Sequence, residues 1–373
     1  MPPLSIMIKP VSSLCNMRCT YCFYADVAQN RACADVGRMS DSTLDNIVRR
    51  AMAYADGEVS FSFQGGEPTL AGYEFYEKLV ALEKKYNSKG LRVHNAVQTN
   101  AYAIDERLLE LFSRENFLLG VSYDGTPALH DSFRRDTAGH GTAQRVAGTI
   151  DKLMQCGIEF NVLCVVNADV ARHWKSCFEN LAQYKYIQYI PHLDPLDGKV
   201  MPYSLTPTLY IDFLKGSFDL YYNAFKAGKP VSVRNFDNYI SIILGRQPEN
   251  CGMCGRCGQY YLIEADGSVY PCDFYVLDEW CIGNINDSSF FRLAKSPLGA
   301  SFVARSLPVP DICRACRWYS LCRNGCARER NVFDNGVALN KWCACYKQFF
   351  AYSADRMAEM AKQISNNSKR NIH

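Results

Sequence analysis

At 373 residues the chain can hold one large domain or two medium ones, and its 48% hydrophobic content is that of an ordinary globular protein. Its 41 basic residues nearly cancel its 38 acidic ones, which gives no support to nucleic acid or a membrane surface as a partner. No stretch approaches the roughly 20 apolar residues that span a bilayer, and no basic, then long apolar, leader opens the chain, so the expected setting is the cytoplasm.

Two patterns then alternate. Short runs rich in Val, Ile, Leu, Phe or Tyr predict strands over 5–9, 59–63, 91–97, 118–122, 159–166 and 186–191. Amphipathic stretches predict helices over 42–55, 73–86, 105–116, 143–156 and 169–184. In the third, Leu108, Leu109, Leu111 and Phe112 make one apolar face, and Asp105 is placed to cap its start. Six strand-then-helix units predict a parallel sheet with helices outside it. Six fall short of the eight that close a full barrel, so the expected fold is α/β, an open partial (β/α)₆ barrel. From 196 to 247 the pattern is helical, and after Asn250 it becomes Gly- and Cys-rich. A domain change is expected near residue 240, giving units 1–240 and 241–373. The short basic tail (Lys369, Arg370, His373) reads as a solvated terminus.

Chemistry in such folds gathers in the loops after the strands' C-terminal ends. Gln64-Gly65-Gly66-Glu67-Pro68, Gln98-Thr99-Asn100 and Tyr123-Asp124-Gly125 each follow a strand candidate, which predicts one shared site. The 18 cysteines point the same way. Cys33, Cys156, Cys164 and Cys177 scatter as packing thiols do, whereas three bunch within residues 15–22 and eleven fall from Cys251 onward. In a reducing compartment such bunching means metal or catalysis rather than disulfides.

Cys15, Cys19 and Cys22 stand in C-x₃-C-x₂-C spacing just after the first strand, followed by Phe23-Tyr24. Three thiolates on a four-iron cluster leave one iron open to an exogenous ligand. The plainer alternatives are a zinc site lacking one ligand, or incidental thiols. The motif, with Gly-Gly-Glu-Pro at this distance behind it, resembles the radical S-adenosylmethionine (SAM) superfamily. That resemblance implies that the open iron takes the amino and carboxylate groups of SAM. It implies that Gly65, Gly66 and Glu67 hold the SAM amino group, that Ser122 meets the ribose or carboxylate, and that Gln98 and Asn100 line the pocket floor. Tyr24 and Gln64 become further cofactor contacts, and Arg134 a clamp for a carboxylate.

Downstream, Cys257, Gly267 and Cys272 precede a run Cys313-x₂-Cys316-x₅-Cys322-x₃-Cys326 and then Cys343. A zinc ribbon needs only four of these. The spacing resembles the SPASM extension of peptide-modifying radical SAM enzymes, which implies two auxiliary 4Fe–4S clusters. One would take Cys251, Cys257, Cys272 and Cys326, and the other Cys313, Cys316, Cys322 and Cys343. Cys254 and Cys345 are placed to compete. Cys343 is preferred because it precedes Tyr346-Lys347 by three positions, and Cys281 is expected to be structural.

Segments 64–72, 123–127, 266–280 and 346–350 are similar to the anaerobic sulfatase-maturating enzymes, a likeness running from about residue 10 to 350. One departure is Ala101, where that family usually has Gly. The resemblance implies oxidation of a Cys or Ser, in a Cys/Ser-x-Pro-x-Arg segment of an unfolded sulfatase, to formylglycine. It implies SAM and three 4Fe–4S clusters as cofactors, and a flavodoxin or ferredoxin as electron donor. The cofactor breaks the unactivated Cβ–H bond, and the protein supplies orientation. Asp273, directly after Cys272, is the expected base, its pKa raised by a dry site. The competing readings are a radical SAM enzyme that crosslinks a ribosomal peptide, and a non-enzymatic electron carrier or zinc scaffold. The early place of Cys15 leaves no room for the peptide-recognition domain of the first. The second has no use for an open iron.

Overall fold

The computed structural model describes residues 2–370, with side chains to residue 367. The side chains of Lys369 and Arg370, and all of His373, lie outside the described residues. All six expected strands form: Leu4–Ile8 (β1), Glu58–Phe63 (β2), Arg92–Thr99 (β3), Leu118–Ser122 (β4), Phe160–Val166 (β5) and Tyr186–Pro191 (β6). They lie side by side in chain order, every neighbouring pair parallel. Between them run Phe23–Gln29 (α1), Asp41–Tyr54 (α2), Tyr73–Tyr86 (α3), Glu106–Arg114 (α4), Pro127–Phe133 (α5), Ala143–Gln155 (α6), Ala168–Arg172 (α7) and Trp174–Leu181 (α8). Asp105 caps α4 as expected, its carboxylate accepting from the Arg107 N–H at 2.8 Å. The single helix expected over 169–184 is instead broken at His173, with α7 and α8 on either side.

Alternation along the strands sorts the two faces of the sheet. Ile6, Ile8, Val59, Phe61, Phe63, Val97, Leu119, Val121, Val162 and Val166 are buried under the helices. They share one core with Leu44, Ile47, Leu79, Leu111, Phe112 and Ile150. The opposite face carries Met7, Ser60, Ser62, Gln98, Ser122, Asn161 and Gln188, all only half-buried. That second face is the concave interior of the part-barrel.

Four further strands extend the sheet. Ser232–Val233 (β7) lies beyond β6, while Tyr261–Ile263 (β8) runs parallel to β1 on the far edge and leads antiparallel into Ser268–Tyr270 (β9) and Gly283–Asn284 (β10). Strands of two or three residues inside a Gly- and Cys-rich stretch are too short to show a period. The helical stretch resolves into Pro207–Lys226 (α9) and Arg234–Ile243 (α10), so residue 240 falls in the last turn of α10 and the sheet continues across it. The C-terminal helix Cys343–Arg370 packs on α9 through Phe349 against Phe218 and through Arg356 on Asp219 at 2.7 Å. No described helix is long and apolar enough to cross a membrane.

Candidate active site

The loop between β1 and α1 carries Cys15, Cys19 and Cys22. It is tied to the turn after α5 by the Arg18 N–H to Arg135 O (2.7 Å) and the Thr20 N–H to Phe133 O (2.9 Å). Cys15 Sγ accepts from the Met17 N–H at 3.4 Å and from Asn100 Nδ2 at 3.7 Å. Burial pushes the Cys15 thiol up to about 11, with Glu67 and Cys22 adding to the effect. Burial also pushes Cys19 up to about 12, opposed by Arg134 and reinforced by Cys22 and Cys15. Half-buried thiols crowded enough to oppose one another's ionisation are relieved by iron, which binds them as thiolates. The three fit a cluster.

The loop after β2 packs directly on this one. Gly65 and Gly66 have φ of +82° and +53°, and a Cβ on Gly66 would run into the Leu14 carbonyl just before Cys15. Glu67 is held from within the fold. Its carboxylate does not face an open position: it accepts from Thr69 N (3.0 Å), Thr69 Oγ1 (2.7 Å), Thr99 Oγ1 (2.8 Å) and Asn100 N (2.7 Å). Fully buried, Glu67 bolts the Gly-Gly loop to the end of β3. Pro68 opens a short 3₁₀ turn at Pro68–Ala71.

On the concave face Gln98 Nε2 donates to Ser122 Oγ at 3.2 Å, so these two expected contacts adjoin. Arg134 clamps a carboxylate, but that of Asp124. Its Nε and Nη2 lie 2.8 and 3.4 Å from the Asp124 oxygens, and only Nη1 turns to Cys19 Sγ, at 4.0 Å. Asp124 also accepts from Val165 N at 2.9 Å and from the Tyr21 hydroxyl. The pair braces the cysteine loop from below, with Arg134 beside Cys19.

Tyr24 reaches a carboxylate of the C-terminal unit. Its hydroxyl donates to Asp273 Oδ2 at 2.9 Å, and Gln64 Nε2 lies 3.3 Å from the same oxygen. Asp273 Oδ1 is buried with no hydrogen-bond partner among the described residues. Burial pushes Asp273 up to about 6, opposed by Lys9 and aided by Glu264. Because Tyr24 sits two residues after Cys22, this carboxylate stands beside the three-cysteine loop.

The C-terminal cysteines form two groups. Burial raises the thiols of Cys251, Cys272 and Cys326, with Cys257 and Cys251 each opposing ionisation of a neighbour. Cys254 stays exposed beside this group, its Sγ 3.8 Å from Asn250 O. Cys313, Cys316, Cys322 and Cys343 line a single cavity with Trp318, Tyr346 and Lys347. Cys345 turns away from that cavity, its thiol on Pro207 O at 3.5 Å. Cys281 donates to Gly283 O at 3.6 Å and packs beside Leu262 and Tyr270. Both groups have the donor chemistry of a four-cysteine cluster, and the second shares one cavity. Sequence reasoning missed Lys9 and Glu264, which meet at 2.6 Å under the Gly-Gly loop; the one signal was a lysine closing an apolar strand just before the cysteines.

Two family models match the chain: the radical SAM superfamily over residues 10–174, and an iron-sulfur cluster-binding domain (SPASM) over 251–317. A cysteine-type anaerobic sulfatase-maturating enzyme of Clostridium perfringens is 43% identical over 370 residues, covering 98% of this chain and 100% of its own. A serine-type anaerobic sulfatase-maturating enzyme of Bacteroides thetaiotaomicron is 30% identical, covering 98% and 92%. A solved structure described as native anSMEcpe with bound AdoMet and Cp18Cys peptide superposes with a TM-score of 0.92 at 41% identity, over 97% of this chain and 100% of that one. With its loop geometry and full-length likeness in agreement, the chain belongs to the anaerobic sulfatase-maturating enzymes, radical SAM proteins that carry a SPASM domain.

Proposed function

We propose that this enzyme oxidises the cysteine of a Cys-x-Pro-x-Arg segment in an unfolded sulfatase to Cα-formylglycine, without oxygen. The observation that carries the reading is Asp273, a buried carboxylate with Oδ2 held by Tyr24 and Oδ1 unpartnered, next to the three-cysteine loop. Cysteine is preferred over serine because the cysteine-type relative is 43% identical and the serine-type one 30%.

Cys15, Cys19 and Cys22 would hold one 4Fe–4S cluster with SAM on its open iron, seated against Gly65, Gly66, Gln98 and Ser122. Cys251, Cys257, Cys272 and Cys326 would hold a second cluster, and Cys313, Cys316, Cys322 and Cys343 a third. When bound, these groups supply a 5′-deoxyadenosyl radical for an unactivated Cβ–H bond and an acceptor for the electron that follows. Asp273 takes the substrate thiol proton at Oδ1; with one Cβ hydrogen and one electron also removed, the side chain becomes a thioaldehyde, which water hydrolyses to the aldehyde with the sulfur leaving as hydrogen sulfide. A carboxyl raised to about 6 accepts that proton better than an ordinary one. Tyr24 and Gln64 hold Oδ2, which leaves a single orientation for the base. The polar, half-buried concave face accommodates an extended peptide and not a folded domain, since the target side chain must reach its interior.

In this reading residues 1–240 bind SAM and residues 241–373 hold the auxiliary clusters. A flavodoxin or ferredoxin delivers electrons, and the setting is the cytoplasm. The test is anaerobic incubation with SAM, a reductant and peptides bearing Cys-x-Pro-x-Arg or Ser-x-Pro-x-Arg, with the aldehyde trapped by a hydrazide. Asp273→Asn should lower aldehyde formation by about 100-fold or more while SAM is still cleaved. Cleavage of SAM by the native enzyme with no aldehyde from any such peptide would sink the assignment.

A further inference from the structure

Lys9 is the last residue before the cysteine loop turns away from β1, and Arg31 lies just past the end of α1, which follows that loop. Both reach the same carboxylate oxygen: Lys9 Nζ and Arg31 Nη1 stand 2.6 and 2.5 Å from Glu264 Oε1. All three side chains are at most 3% exposed. Glu264 directly follows β8, and the β8–β9 hairpin it opens leads within nine residues to Cys272 and Asp273. Lys9 reaches Glu264 by passing where a Cβ on Gly65 would lie, and its ammonium sits 5.5 Å from the centre of the Tyr24 ring. Arg31 in turn lies 5.6 Å from the ring of Tyr270, at the end of β9. Thus both ends of the cysteine loop are anchored on one buried anion of the C-terminal unit. Arg31 also lies in the field of Asp278, and Lys9 in that of the buried Asp273 carboxylate.

We propose that Lys9 is a positioning residue for the oxidation, which rests on the function proposed above: the Lys9–Glu264–Arg31 triad fixes the separation between the cysteine loop and Asp273. The radical-forming and proton-accepting halves of the reaction sit on different units of the chain, and an error of about 1 Å between reacting groups can cost 100-fold. A buried pair with a partner removed leaves an uncompensated charge, so the triad holds a discrete geometry rather than a compliant one.

The test uses the fully reconstituted enzyme with SAM and a Cys-x-Pro-x-Arg peptide. Lys9→Met should leave the iron content, the SAM affinity and the change in the reduced cluster's EPR signal on SAM binding unaltered. Aldehyde kcat should fall about 10- to 100-fold. 5′-Deoxyadenosine should continue to form, so its ratio to aldehyde rises in proportion, and Lys9→Arg should recover most of the coupling. If Lys9→Met does not fold, Lys9→Gln, which leaves the Arg31–Glu264 pair intact and keeps a polar side chain at position 9, is read the same way. An unchanged ratio of deoxyadenosine to aldehyde overturns the proposal, whatever happens to rate. So does a loss of activity that tracks a loss of SAM binding, since Lys9 would then act only on the first site. Failure of the native enzyme to make any aldehyde would instead refute the function on which the proposal rests.

Discussion

Glu67→Gln separates a bolt from a ligand. In the structure one Glu67 oxygen accepts three hydrogen bonds, from Thr69 N, Thr69 Oγ1 and Thr99 Oγ1, and the other accepts the Asn100 N–H. A glutamine keeps three acceptor contacts only by turning its NH₂ onto the Asn100 N–H, so a buried main-chain donor loses its partner. Such a loss costs about 1–3 kcal/mol. Against an unfolding entropy summed over 373 residues, 2 kcal/mol lowers the melting midpoint by about 3 °C. The measurement is thermal or urea unfolding of reduced, iron-free protein without SAM, so that no cofactor contact enters. If the carboxylate instead served an ammonium group, the cofactor-free variant would be as stable as the parent or more so, having shed a buried charge. That result, paired with weakened SAM binding, would refute the structural role argued here.

Glu83 gives a pH dependence away from the site. Burial between α3 and β3 raises it to about 7 despite a hydrogen bond from Asn95 at 3.2 Å. The folded state then holds this proton more tightly than the unfolded one, so its stabilisation is full below about pH 4.5 and is lost as pH rises through about 7. The loss amounts to about 3 kcal/mol. Glu83→Gln should flatten that slope and be the more stable protein at pH 8; identical slopes in urea titrations at pH 5.5 and 8 would contradict the argument. Cys343→Ala should lower iron by one cluster's worth and Cys345→Ala should not, since only Cys343 lines the cavity. Equal iron loss in both would reverse the assignment. Gly66→Ala forces a Cβ at φ +53° into Leu14 O, at a cost of about 1–3 kcal/mol, and calorimetry should show weakened SAM binding; undiminished affinity counts against the loop's role.

What could be read from the residues followed physical scale. Val59, Phe61 and Phe63 alternate with Ser60 and Ser62, and that period is visible because one face is packed and the other is not. The cysteine spacings were legible because ligands to one cluster lie close in sequence. The short strand β8 was not, since three residues carry no period and its existence depends on β1 lying alongside. The Lys9–Glu264 pair spans 255 positions, and nothing local marks either residue as its partner's. The partners of Glu67 were illegible for a related reason. A strand-end acid beside glycines looks available for a ligand until the threonines and the main chain that surround it in space are known.

The pairing of β8 with β1 has a practical consequence. Leu4–Ile8 would otherwise present a bare row of amides and carbonyls on an apolar ribbon, the kind of surface that recruits other chains into aggregates. Excising the first 240 residues as a stand-alone fragment would uncover that ribbon, so soluble truncations and chimaeras of this enzyme should retain the β8–β10 segment even when the auxiliary clusters are not wanted.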